Sequence, residues 1–315
     1  MTQLYIPNSI ALRNFDSIFK NNSFIFGDGI ADIRFHRSYV AMHPVGLAFY
    51  AALSDYFRLN NIRTTAAINY KIRSIPYLQR MGLFKELGYS DPIKITEHEE
   101  TGRFIPLTRI RTNEDLDSLL KNIDPILHTT REKSRVIKHV FSELLRNILE
   151  HSQCALGGHV CATYNKRKKK ISIGVSDAGI GIFKSLRVHH SVNTNGTAIM
   201  EALKPGISGT TSRMGGTEQN AGAGLFFTKC IAQSTRNHFL IYSGDAYFKL
   251  KATPKGQELK YNADPKFDCA SLKDNLPPLQ GTLLGIDIFI EDTKAFNNLM
   301  KNIGDAYRIG LKKAK

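Results

Sequence analysis

Three short stretches carry residue types whose spacing could do chemistry: Glu143-Leu-Leu-Arg-Asn147-Ile-Leu-Glu-His151, Asp177-Ala-Gly179-Ile-Gly181-Ile, and Gly222-Ala-Gly224-Leu225. In the first, a carboxylate, an amide and an imidazole recur every four residues, which on a helix makes one slowly drifting stripe. An amide oxygen is a hard, neutral ligand for Mg2+, and a carboxylate one turn away can take the proton of water or a hydroxyl. In the second, glycines let the backbone turn tightly behind an aspartate, because glycine tolerates positive φ and has no Cβ. The third is a glycine-rich entry into a helix, where backbone amides and the helix dipole favour phosphate oxygens. Alone, each has an ordinary reading as a solvated polar face or an Asp/Gly turn. In this order, the three read as a nucleotide pocket. It is neither a P-loop, since no G-x-x-x-x-G-K-[ST] occurs, nor a dinucleotide turn, whose third glycine would fall on Lys184.

The order and residue types resemble the N, G1 and G2 boxes of the GHKL family, the ATPase fold shared by DNA gyrase, heat-shock chaperones, histidine kinases and anti-sigma-factor kinases. The resemblance covers roughly residues 130–292. It implies an α+β protein, a two-layer α/β sandwich of the Bergerat type that binds ATP with Mg2+. It further implies that Glu143 orients or deprotonates the attacking nucleophile and that Asn147 ligates the metal. His151 falls near the nucleotide, with a core or capping role as the alternative. Asp177 would accept the adenine amino hydrogen, with Gly179 and Gly181 close to the base. Gly222, Gly224 and Leu225 would approach the phosphates, and Thr282 would support the aspartate or its water. The Ser-, Thr- and Gly-rich residues 182–221 stand in the place of the family's lid, where Lys204 and Arg213 are either phosphate contacts or solvated. The implied function is a Mg2+-dependent ATPase whose lid closure switches partner binding. A serine/threonine kinase of the anti-sigma-factor type and a non-catalytic ATP-gated interaction module are the alternatives. A sensor histidine kinase does not fit, because no His-Glu-x-x-x-Pro element precedes the first box and His139 lies inside it.

Several elements must position these residues. Val136, Ile137, Val140, Phe141, Leu144, Leu145, Ile148 and Leu149 recur at helical spacing, so a buried helix is predicted between Thr130 and Ser152. The apolar runs Gly158–Tyr164 and Ile171–Ser176 read as a hairpin that delivers Asp177 to a strand end, with Lys166-Arg-Lys-Lys-Lys170 as its solvated turn. A short helix is predicted near Ala198–Leu203, another over Leu225–Gln233, and strands over His238–Ser243 and Leu283–Ile290. The polar, proline-bearing segment Thr253–Gln280 reads as an insertion.

Residues 1–120 form a predicted first domain and 125–315 the nucleotide-binding one. The first alternates strands at Ser23–Phe26, Ala31–Phe35 and Thr64–Ile68 with an amphipathic helix over Val45–Asn60 and a helix over Ser74–Leu87. Ala31-Asp-Ile-Arg-Phe35, Met42-His-Pro-Val-Gly46 and Met81-Gly-Leu-Phe84 loosely resemble the STAS-like domains of anti-sigma-factor antagonists. Phosphorylation-regulated members of that family carry a serine just before this helix, where this chain has Met42, His43 and Pro44. The resemblance therefore implies a partner-docking role rather than a phosphoswitch, and a purely structural cap is the alternative.

Length and composition bound the rest. At 315 residues with 42% hydrophobic and 23% charged, the chain fits two soluble globular domains. No apolar run of membrane-spanning length and no secretory signal is visible, so a cytoplasmic address is expected. Cys154, Cys161, Cys230 and Cys269 have no C-x-x-C spacing, and His159 between the first two does not complete a four-ligand zinc pattern. Residues 131–315 carry 28 Lys/Arg against 15 Asp/Glu, so most of the formal charge of +15 lies there. That field suits an anionic partner. A protein partner is expected; nucleic acid and a homodimer stay open.

Overall fold

The computed structural model describes residues 2–20, 22, 24, 29–68, 71–91, 93–94, 104–127, 131–209, 224–289, 301, 303–305 and 307–308. In chain order the first part holds β1 (Thr2–Ile6), β2 (Ser9–Ile10), β3 (Ile30–Phe35), β4 (Ala41–Met42), α1 (Pro44–Leu59), β5 (Arg63–Ala67), α2 (Ile75–Arg80) and α3 (Leu83–Glu86). There follow β6 (Phe104–Ile110), α4 (Asn113–Leu127), α5 (Arg131–His151), β7 (Gly158–Asn165), β8 (Lys170–Asp177), α6 (Gly181–Leu186) and α7 (Asn195–Ala202). The last described elements are α8 (Gly224–Ser234), β9 (Phe239–Gly244), β10 (Ala246–Leu250), β11 (Ala270–Lys273) and β12 (Leu279–Phe289).

Alternation of side chains builds a seven-stranded sheet in the order β11-β10-β9-β12-β8-β7-β6, antiparallel throughout. Ile171, Ile173 and Val175 of β8 and Leu284, Ile286 and Ile288 of β12 pack towards α5 and α8 in one core. The other face, through Cys161, Leu240, Tyr242 and Leu283, joins a second core with α1 and the parallel sheet β1-β3-β5. The protein is thus mixed α/β around a large antiparallel sheet. The first part of the chain covers the sheet face that α5 and α8 leave free.

The helix read as amphipathic over Val45–Asn60 is buried nearly all round, from Pro44 to Asp55 and at Phe57. It lies between two sheets, and a helix with a layer on each side has little solvated face to mark in its sequence. Its first turn needs a smooth floor. A Cβ on Gly174 of β8 would collide with the Pro44 carbonyl, so only glycine allows this approach. Cys161, opposite Gly174 in register, turns its thiol to the same carbonyl at 3.3 Å, and the Ser176 hydroxyl donates to the Ala48 carbonyl at 2.7 Å.

Two polar clusters complete the joint. Arg109 of β6 donates to both carboxylate oxygens of Asp55 and to Glu86, each at 2.9 Å, and His159 lies 3.0 Å from Glu86. Asp55, Glu86 and His159 are grouped closely enough to hold a cation, but Arg58 and Arg109 already supply the positive charge there. His159 and Cys161 therefore serve this joint. At the second cluster Asp287 pairs with His43 at 2.9 Å and Lys170 at 2.7 Å. Lys170 is thereby removed from the solvated hairpin turn, in which Lys166–Lys169 are exposed.

β6 and α4, read within the first domain, pack in the core of the large sheet, where β6 pairs with β7. Two further readings are corrected. The single helix over Ser74–Leu87 is two short helices, broken at Gly82, whose φ of +78° is left-handed. The insertion contains the edge strand β11. The strand read at Ser23–Phe26 falls mostly outside the described residues, as do Gly222, Arg213 and residues 210–221 of the lid stretch.

Candidate functional site

The three-box spacing converges in space. Glu143, Asn147 and His151 on α5, Asp177 at the end of β8, Gly181 opening α6, Gly224 and Leu225 opening α8, and Thr282 on β12 all line one cleft. It encloses about 900 Å³ between its walls, the solvent at its mouth included. Its apolar floor includes Val175, Ile241 and Leu284. One sequence-predicted residue stands apart from the lining: Gly179 lies behind Asp177, donating its N–H to the Asp177 carboxylate at 2.8 Å. Gly222 is outside the described residues.

Helix α5 presents its stripe because Phe141, Leu144, Leu145 and Ile148 seat the adjoining face in the core. Glu143 abuts the first residue of α8: a Cβ on Gly224 would collide with its carboxylate. The positive end of the α8 dipole therefore faces this carboxylate and the cleft. One turn on, the Asn147 amide nitrogen is buried with no hydrogen-bond partner among the described residues. A buried amide so placed costs free energy unless something in the cleft meets it. Burial lowers the pKa of His151 against the opposing effect of Glu150, which favours the neutral ring.

Asp177 is only 4% exposed and ends β8 opposite Thr282. Burial pushes its carboxyl up to about 7, moderated by the backbone N–H groups of Gly179 and Thr282. Gly281, at φ +91°, brings the β12 bulge against the Asp177 carbonyl, where a Cβ would collide. A buried carboxyl held by backbone donors alone has acceptor capacity for a polar group entering the cleft.

Lys204 pairs with Glu201 at 2.6 Å and does not line the cleft. Sequence reasoning missed Ser185 and Gly209, which touch each other on the cleft wall near His151, and Ser243 beneath the base of α6. None belongs to a short motif; only pairing in the sheet and loop closure bring them in.

No protein-family model matches the chain, and no curated protein matches its sequence. Among the described residues, no helix is long and apolar enough to cross a membrane.

Proposed function

We propose that the protein binds ATP with Mg2+ in this cleft, in a GHKL-like, Bergerat-type arrangement, and that it hydrolyses ATP to switch partner binding. The observation that carries the proposal is the meeting of Glu143, Asn147, Asp177, Gly224 and Thr282, far apart in sequence, around one cavity. A chance set of Asp/Gly turns and polar helix faces has no reason to converge.

The chemistry of the donor set fits. Asp177 accepts the adenine amino hydrogen, with Thr282 beside it. Asn147 would hold Mg2+ through its amide oxygen, and its unpartnered buried amide nitrogen is a donor that a phosphate oxygen entering the cleft would accept. The metal neutralises phosphate charge when bound. Glu143 takes the proton of the attacking water, and the amides at the start of α8 hold phosphate oxygens.

The kinase alternative finds less support as an intramolecular reaction. Met42, His43 and Pro44 pack against the sheet face opposite the cleft, with His43 tied to Asp287. A STAS-like first unit in this position acts as a fixed cover, and any partner reads its outer surface.

The test is incubation of pure protein with γ-labelled ATP and Mg2+, with and without proteins encoded by neighbouring genes. Released phosphate supports the ATPase. Label retained on protein supports the kinase, saturable binding with neither supports the gated module, and no binding overturns the proposal.

A further inference from the structure

We infer that the Ser243 hydroxyl positions the aspartate end of the cleft, and so determines how well a nucleotide base is held there; the second half of this inference rests on the proposed function. Ser243 has no solvent exposure and lies opposite Thr282 in the β9–β12 register. Its hydroxyl donates to the Gly281 carbonyl at 2.7 Å, accepts from the Ile182 N–H at 3.0 Å, and stands 3.3 Å from the Thr282 hydroxyl. One donor hydrogen and two lone pairs are then all in use.

Both backbone partners are groups that regular structure leaves over. Ile182 is in the first turn of α6, where N–H groups have no helical acceptor. Gly281 is in the β12 bulge, where register shifts between Leu279 and Thr282. A side chain on the neighbouring strand supplies what the ladder and the helix cannot.

Three segments thereby meet at one oxygen: the turn from Asp177 to Ile182, the bulge before Thr282, and β9. Gly181 closes over it at φ +74°, with room for no Cβ, which would stand 2.8 Å from Ser243 Oγ. Asp177 itself is held by the backbone of Gly179 and Thr282, one residue group in each tethered segment. Ser243 touches neither the cleft interior nor, in the proposed reading, the ligand. It acts through the segments that carry Asp177, and is a positioning residue.

The experiment compares wild type, Ser243→Ala and Ser243→Thr by native-state amide exchange and by calorimetric titration with Mg2+-ATP and with Mg2+-tripolyphosphate, which has no base. Ser243→Ala should exchange the Ile182 amide about tenfold faster or more and weaken ATP about tenfold or more, the scale of a lost buried hydrogen bond. Its tripolyphosphate affinity should stay within about threefold, because the phosphate end is untouched. Ser243→Thr, which keeps the hydroxyl, should retain both Ile182 protection and ATP affinity. Unchanged Ile182 exchange in Ser243→Ala overturns the tether. Faster exchange with unchanged ATP affinity overturns its role in the site, as does an equal loss of tripolyphosphate. A folded Ser243→Thr that behaves like alanine assigns the effect to volume and overturns the hydroxyl's role. Wild-type protein that binds no ATP overturns the nucleotide half and the proposed function together, while the exchange arm still decides the tether.

Discussion

Asp55 on α1 and Arg109 on β6 hold each other through two hydrogen bonds of 2.9 Å, one to each carboxylate oxygen, and the Asp55 side chain has no solvent exposure. The pair joins the first part of the chain to the edge of the large sheet. Glu86, Arg58 and His159 close around it. Arg109→Ala leaves two carboxylates short of a partner, and a loss of about 3–5 kcal/mol in chemical denaturation is expected. Arg109→Lys should not rescue it, because an ammonium cannot reproduce the planar fork. A loss under about 1 kcal/mol would mean that the joint does not depend on this pair.

The same cluster sets an acid limit. Burial would raise the Glu86 carboxyl, but the hydrogen bond and charge of His159, with Arg109, outweigh it and hold it near 2. At Asp287 burial is likewise outweighed by His43 and Lys170, which hold it well below the usual range. A depressed carboxylate contributes stability that is present above its unfolded pKa, about 4.3 for Glu and 3.9 for Asp, and lost as pH falls through the folded one. Melting temperature should therefore drop between about pH 4.5 and 2, and less steeply in Glu86→Gln. Parallel curves for the two proteins would remove Glu86 from this role.

Asp177 has the opposite sign. Its folded pKa is raised to about 7 by burial, so the stability of the protonated form is present below its ordinary value of 3.8 and lost as pH rises through about 7. Ligand-free Asp177→Asn should therefore melt higher than wild type at pH 8 and differ little at pH 4. It should also lose most of the ATP-induced rise in melting temperature, since the amide presents a donor towards the adenine amino group. Wild-type ATP affinity should rise with pH through about 7, as the accepting carboxylate forms. An undiminished ATP shift in the mutant, or an equal shift with GTP, would count against the assigned pocket.

Glu143 and Asn147 separate chemistry from binding. Glu143→Gln should keep ATP affinity and lower turnover about a hundredfold, the scale of a removed general base. Asn147→Ala should lose Mg2+-dependent affinity while nucleotide binding in chelator changes little. Turnover undiminished in Glu143→Gln assigns the base elsewhere.

Gly174→Ala tests how the first unit is seated. Its methyl has no room beneath Pro44, and overpacking in such a position costs about 1–3 kcal/mol. Exchange should quicken at Val45–Leu47 before it does on β12. Uniform destabilisation without that order would argue that α1 and the sheet do not part locally.

Much of the second half was legible in the sequence. The helix over residues 130–152, the hairpin leading to Asp177 and the closing strand are all present, because long apolar periodicities answer to burial in a single core. Residue types and spacing also singled out the cleft's chemical groups, since a helical stripe and two glycine turns are local patterns. Tertiary structure alone decided the rest. α1 reads as a one-faced amphipathic helix in the sequence, and only the packing of β1-β3-β5 over its other side buries the rest of it. β6, read within the first domain, joined the large sheet through pairing with β7, a contact set by partners more than forty residues away. Ser243 reached the site only because β9 lies beside a bulge, and the perturbed state of Asp177 came from the layers that exclude water around it. Local periodicity is written in neighbouring residues, whereas burial and electrostatic environment depend on segments distant in the chain.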